Sequence, residues 1–351
     1  MSAARVRLGL LSAPELPAQI AAELAEELPA LLSRDHDGRW DVVLAQEPLL
    51  AGREGVGEIL DAAAASRDDQ QWDAALCLTD VPLRDGTRPL VAAVAAEERV
   101  AVVDVPAFGA TLVKPRVREA AVTLVAEIAE DAIDGSHSLV RPRPTEALTP
   151  ITRRTAEGER AGIRYVLPAV LGHARLLAGM IRANRPWRAF TGLGAAVVAA
   201  FGTGAYALLS TTIWQLSARL SWPRLAAIML ISVVAMVAWL IAAHDLWEGK
   251  QVLARRKEAA LYNTATALTV AIAVTCGYLA LFVLLYAVSA VLIEGHVFKT
   301  NAGEAAGPGT YAALAWLGAA IGTVAGALGS KFESIERVRR ATYGHNQSRK
   351  T

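Results

Sequence analysis

Four side chains carry the most chemistry for their position: Glu47, Thr79, Asp80 and Asp104. They fall in related polar turns, Gln46-Glu47-Pro48, Thr79-Asp80-Val81-Pro82 and Asp104-Val105-Pro106, each directly after an apolar run with strand character. The carboxyl ends of parallel strands converge on one rim, where open α/β folds bind ligands. Two readings follow. In one, Glu47, Asp80 and Asp104 line an acidic cleft for a cation or a cationic group, and oxygen-only donors suit magnesium or calcium better than a transition metal. In the other, Asp and Pro initiate turns and the Asp side chains bond nearby backbone N–H groups. No resident metal or other cofactor is nominated.

Other constellations fail on inventory. The six histidines, His36, His137, His173, His244, His296 and His345, are scattered, and no two have metal-ligand spacing. Ser12 and Cys77 have no base partner legible in the sequence, and Cys77 sits in an apolar run where a thiol is usually inert. The first strand runs into Leu11-Ser12-Ala13-Pro14-Glu15, without the glycine pattern that lets backbone approach a phosphate. Gly52, Gly55 and Gly57 are a weaker cluster that reads as loop formers. With two isolated cysteines, Cys77 and Cys276, neither a disulfide framework nor a zinc cluster is available. Enzymatic chemistry therefore stays open, with no catalytic residue nominated.

The elements that position these groups alternate. Residues 6–11, 40–45 and 72–78 read as strands, and 17–32 and 55–66 as helices, a βαβαβ pattern that predicts a parallel sheet with right-handed crossovers. Residues 89–94 and 99–105 are close enough to pair as a hairpin, which predicts an antiparallel edge, and a helix over 116–133 closes the domain. The expected fold is thus an N-terminal cytosolic α/β domain over 1–135, mostly parallel with an antiparallel edge hairpin. A Pro- and Arg-rich linker follows over 136–152. Residues 153–186 have helical spacing with a kink at Pro168, and the arginines beside the apolar side, Arg175, Arg182, Arg185 and Arg188, suit a membrane surface. That helix has two readings, lying on the leaflet or packing on the soluble domain.

Residues 187–330 differ in kind. Four apolar stretches free of Asp, Glu, Lys and Arg, about 189–209, 225–243, 264–293 and 311–329, are each near or above the roughly 19 residues that cross a bilayer core. They predict a C-terminal four-helix transmembrane bundle, with the third span long enough to tilt or project. Counting Lys and Arg beside the spans gives eighteen on the side of both termini against three, Arg219, Arg224 and Lys299, on the other. The positive-inside rule then puts both termini, including a basic tail over 331–351, in the cytoplasm. Insertion is expected to be driven by the first span, since residues 1–7 lead directly into a strand and not into a signal-peptide core. Spans without ionisable groups argue against a conducting path through this chain alone. Gly318, Gly322 and Gly326 give the last span one face for close helix approach, and Gly192, Gly194, Gly202 and Gly204 flatten the first. The net charge of +1 divides into an acid-rich first part and an Arg-rich stretch before the spans, which suits anionic lipid and not nucleic acid.

Leu76-Cys77-Leu78-Thr79-Asp80-Val81-Pro82-Leu83, then 99–104 and 116–126, resemble in order the Thr-Asp strand, edge hairpin and helix of the archaemetzincins, metzincin-type zinc peptidases. The resemblance implies a metzincin-like sheet. Val122, Thr123 and Ala126 stand where the His-Glu-x-x-His helix of that family has its zinc ligands and general base, so it implies no zinc and no peptidase chemistry here. As a whole the chain is similar to uncharacterised actinobacterial membrane proteins with the same two-part layout, and its Ala and Arg bias is that of a GC-rich bacterial genome. The reading is a protein of the bacterial cytoplasmic membrane whose cytosolic domain is a non-enzymatic scaffold or sensor. Its alternatives are a ligand-binding or enzymatic domain using Glu47, Asp80 and Asp104, and a subunit of a transport complex. Expected partners are the lipid bilayer and either a second copy or other membrane proteins.

Overall fold

A computed structural model of the chain describes residues 5–35, 39–46, 55–129, 151–156, 162–184, 194–247 and 256–330. The chain packs as two units, the first reaching Ala183 and the second starting at Asn184.

The first unit is an α/β domain on a mixed sheet. In order it contains β1 (Arg5–Ser12), α1 (Leu16–Asp35), β2 (Arg39–Gln46), α2 (Val56–Asp69), β3 (Ala74–Thr79), β4 (Arg84–Asp85), β5 (Arg88–Ala95), β6 (Val100–Asp104), α3 (Val113–Ala129), β7 (Thr152–Ala156), β8 (Gly162–Val166) and α4 (Ala169–Ala183). The strands lie in the order β2-β1-β3-β6-β5-β8-β7, with β4 paired to the start of β5. β2, β1, β3 and β6 are mutually parallel; β5, β8 and β7 are added antiparallel. The central strands are apolar on both faces because both faces are covered, as parallel sheets require. Leu11, Cys77 and Val102 share one register row and pack against Ile59, Leu60 and Ala63 of α2. Leu8, Leu10, Leu76, Leu78 and Val103 alternate with them and are equally buried. On the exposed side, Lys114 and Arg118 of α3 pair with Glu23 and Glu27 of α1.

Three expectations are corrected. The hairpin of β5 and β6 is antiparallel as anticipated but interior, since β8 covers the far side of β5. Residues 153–186 are not one helix: β7 and β8 pair as antiparallel strands, and among the described residues of this range the helix is Ala169–Ala183. The apolar residues Ile163, Val166, Leu167, Val170 and Leu171 mimic helical spacing, but Pro168 lies between two elements and its carbonyl accepts from Gly172 N–H at the start of α4. Gly162 is the close-approach point of the strand, where a Cβ would stand 2.6 Å from the Val94 carbonyl oxygen. The α/β unit accordingly runs past the expected boundary at 135, and the linker over 136–150 lies outside the described residues.

The second unit is helical: α5 (Gly194–Ala207), α6 (Thr211–Arg219), α7 (Trp222–Ala243), α8 (Arg256–Leu292), α9 (Gly295–Ala302) and α10 (Pro308–Gly329). Three helices, Trp222–Ala243, Ala259–Leu292 and Pro308–Gly329, are long and apolar enough to cross a membrane. Among the described residues a fourth crossing arises only if α5 and α6 count as one span, and they meet at 85°. The expected first span at 189–209 is thus described from Gly194, and its helix stops at Ala207. The corner is pinned by Trp214, whose indole N–H donates to Leu208 O at 2.7 Å while its ring stacks on Phe298 at 5.4 Å. Gln215 donates to Asn301 O at 3.1 Å, tying α6 to α9. The last span is the most buried of the three, and its Gly322 and Gly326 lie against α5: a Cβ at Gly322 would sit 2.4 Å from Ala200 O, and one at Gly326 3.0 Å from Ala196 O. Gly318 is in ordinary contact with Leu285 and Leu208.

Candidate functional site

The carboxyl ends of the parallel strands bring two of the four nominated residues side by side. Thr79 and Asp104 are register partners on β3 and β6, both without exposed surface, and Val105 N–H closes the rim by donating to Thr79 O at 3.0 Å. Thr79 Oγ1 accepts from Val81 N–H at 3.1 Å, a local turn bond. Asp104 is committed to backbone on both oxygens: Oδ2 accepts from Leu83 N–H at 2.8 Å and Oδ1 from Ala107 N–H at 3.0 Å. Burial pushes its carboxyl well above the usual carboxylate range, more strongly than the two N–H groups pull it down, and Asp80 adds to the rise. The side chain therefore acts as a clasp joining the turn after β3 to the turn after β6. Asp80 is half-buried beside it, and Glu47 lies outside the described residues.

A second polar feature of this rim is a serine. Ser12 ends β1, pairs with Leu78, is fully buried, and its Oγ has no hydrogen-bond partner. Alternation puts it on the opposite sheet face from Thr79 and Asp104. Cys77, the other candidate nucleophile, is buried among the residues facing α2. On α3, Val122, Thr123 and Ala126 present no metal donor set, and the Thr123 hydroxyl donates to Glu119 O one turn back. Among the described residues there is no group of three His, Cys, Asp or Glu able to hold a metal ion.

The far edge of the sheet is clasped by one carboxylate. Glu127 of α3 accepts from Tyr165 Oη at 2.7 Å and from Arg153 at 2.8 Å, so α3 holds both strands of the β7–β8 hairpin. Burial and the neighbouring Glu127 push the Tyr165 hydroxyl up to about 12. Arg164 of β8 pairs with Asp85 at 2.7 Å, which binds the same hairpin to β4.

Basic residues gather around the turn of 106–112. α4 buries Gly172, Leu176, Gly179 and Met180, and it meets this turn at Gly179, where a Cβ would stand 1.9 Å from Pro106 O. The structure packs the Gly-lined face of this helix on the α/β domain and leaves its opposite face outward. Arg116 donates to Phe108 O at 3.2 Å, Arg182 donates to Ala110 O, and the stem of Arg175 lies over Gly109, its Cγ 3.1 Å from where a Cβ would be. Arg175 Nε is buried and without a hydrogen-bond partner. Burial and the neighbouring Arg116 charge lower the Arg175 guanidinium below its ordinary value. Among the described residues none of the three arginines is in an ion pair. Sequence reasoning nominated Arg175 and Arg182 but passed over Arg116, whose helix lies more than fifty positions upstream. Arg185 and Arg188 lie outside the described residues.

Comparison with protein-family models, with curated proteins and with solved structures gives no match for this chain.

Proposed function

We propose that the chain is an integral protein of a bacterial cytoplasmic membrane, with both termini in the cytoplasm and its α/β unit serving there as a non-enzymatic scaffold or sensor. The observation carrying this reading is the union, in one chain, of a separately packed α/β unit with three apolar helices of spanning length. On this reading α5, α7, α8 and α10 make a four-helix bundle. The eighteen-to-three bias of Lys and Arg supports the orientation. The backbone bonds of Asp104 support a domain whose strand-end turns are built for shape, since both its oxygens are spent on the fold. Crosslinking in native membranes followed by affinity purification tests the scaffold role, with recovery of a stoichiometric protein partner expected. A solitary homogeneous particle would count against it. Reporter fusions after Thr351 and at Gly303 test orientation, with cytoplasmic activity expected for the first and periplasmic for the second.

One observation favours a second reading, a small ligand at the strand-end rim. It is the fully buried, unpartnered hydroxyl of Ser12 on the same rim as Asp80 and Asp104. Thermal-shift screening of the full chain with divalent cations and nucleotides would reveal such a ligand as a stabilisation lost in both Ser12→Ala and Asp80→Ala.

A further inference from the structure

α4 carries two apolar faces. The inward one is used up against the turn of 106–108. On the other side Val170, Ala174, Leu177 and Ile181 follow each other three or four positions apart, so they form one stripe along the helix. Val170 is 84% exposed and Leu171 65% exposed, where a solvated helix face would carry charges. Leu112 lies in the same arginine-bearing turn, 66% exposed and held at φ 53°, a backbone region that bulky side chains avoid. An apolar stripe with arginines along its edge is the composition of helices that lie in a membrane interface.

Among the described residues the basic side of the patch has no ion-pair partner. Arg116, Arg175 and Arg182 all reach the segment 108–110, two of them through its carbonyls, and Arg175 Nε is buried without an acceptor. Guanidinium groups take phosphate oxygens in pairs of parallel N–H bonds, so a phosphate is the chemistry that this cluster fits. The sequence narrows the source. Gly194, the first residue of α5, follows Ala183 by eleven positions, a connection that spans at most about 40 Å. Arg185 and Arg188 stand within it.

We propose that the outward face of α4 docks on an anionic lipid leaflet, with Arg116, Arg175 and Arg182 receiving lipid phosphate and Val170, Leu171 and Leu112 entering the interface. The inference rests on the reading of α7, α8 and α10 as membrane spans. It goes further by giving the α/β unit a ligand, the headgroup layer itself, so that lipid charge governs whether the unit is held down or released.

The test is a spin label at Leu171→Cys in the full chain bearing Cys276→Ser, Cys77 being buried. The protein is reconstituted in nanodiscs of phosphatidylglycerol or of phosphatidylcholine, with a label at Glu119→Cys as the aqueous reference. In phosphatidylglycerol the label at 171 is expected to lose access to a water-soluble nickel complex and gain access to oxygen, and in phosphatidylcholine to remain aqueous. Arg182→Gln, an exposed change on α4, is expected to restore nickel access in phosphatidylglycerol while leaving the melting temperature in detergent unchanged. A label equally aqueous in both lipids overturns the docking. So does an aqueous label together with thermal stabilisation by inorganic phosphate in detergent, which would assign the cluster to a free phosphate. Failure to incorporate into nanodiscs at all overturns the membrane reading as well.

Discussion

At the residue scale, Asp104 decides what the strand-end rim is for. Each carboxylate oxygen holds one backbone N–H, and those amides have no water to turn to. Asp104→Ala leaves two buried donors unpaired and should cost about 2–5 kcal/mol, read as a lowered melting temperature of the purified chain. Asp104→Asn keeps the shape and one good acceptor, so its cost should be smaller. The pH dependence has a definite sign. Burial raises the folded carboxyl above its unfolded value, so the fold holds its proton more tightly than the unfolded chain does. The stabilisation is complete below about pH 4 and is lost as pH rises toward the folded value. The wild-type melting temperature should therefore fall with rising pH relative to Asp104→Asn, which has no proton to lose. Parallel curves for the two proteins would show that the buried carboxyl does not titrate differently in the two states.

At the element scale, glycine marks where helices meet. Gly322 has no room for a Cβ, with Ala200 O at 2.4 Å and Leu281 Cδ2 at 3.0 Å, whereas a Cβ on Gly202 meets nothing within 4 Å. Gly322→Val should destabilise the helical unit by about 1–3 kcal/mol or more through overpacking, and Gly202→Val should be close to neutral. Thermal denaturation of the two variants in detergent checks the pair, and equal behaviour would remove the α5–α10 contact as an organiser of this unit. The same logic applies to Gly179, whose nearest neighbour is the carbonyl of Pro106, so any side chain there has to push α4 off the turn it covers. Gly322 was legible as part of a four-residue repeat in the last span, whereas Gly202, expected to flatten the first span, meets no neighbour. Gly179 was not legible, since an isolated glycine in a short amphipathic helix carries no periodic signal.

At the scale of the whole molecule, α8 sets the dimensions. Its 37 residues make a helix of about 55 Å, well beyond a hydrocarbon core of about 30 Å, so on the proposed membrane reading close to half of it would lie outside the core unless it tilts strongly. The basic start at Arg256 and Lys257 should emerge on the side of both termini. Single cysteines from 256 to 263 should react with a water-soluble maleimide in cells whose cytoplasm is accessible, and those from 268 to 284 should not. Reactivity of the central positions would mean that this helix does not cross a bilayer.

The sequence by itself determined the two-part layout, the type of nearly every element in the first 130 residues and the apolar helices of the second unit. Those features rest on local periodicity and on charge-free length, which need no knowledge of what packs against what. Thr79 and Asp104, expected on one strand-end rim, are register partners, because parallel strands must end on one rim. Only the tertiary structure decided that Asp104 spends both oxygens on backbone, since the turns that claim it come from residues 83 and 107. The β7–β8 hairpin was hidden for a related reason: two five-residue strands have too few residues to display a period, and their identity comes from the open edge of β5 and from Glu127. The arginine cluster likewise joins α3 to α4 across more than fifty positions of chain, and such a meeting exists only once the sheet has brought both helices to the same turn.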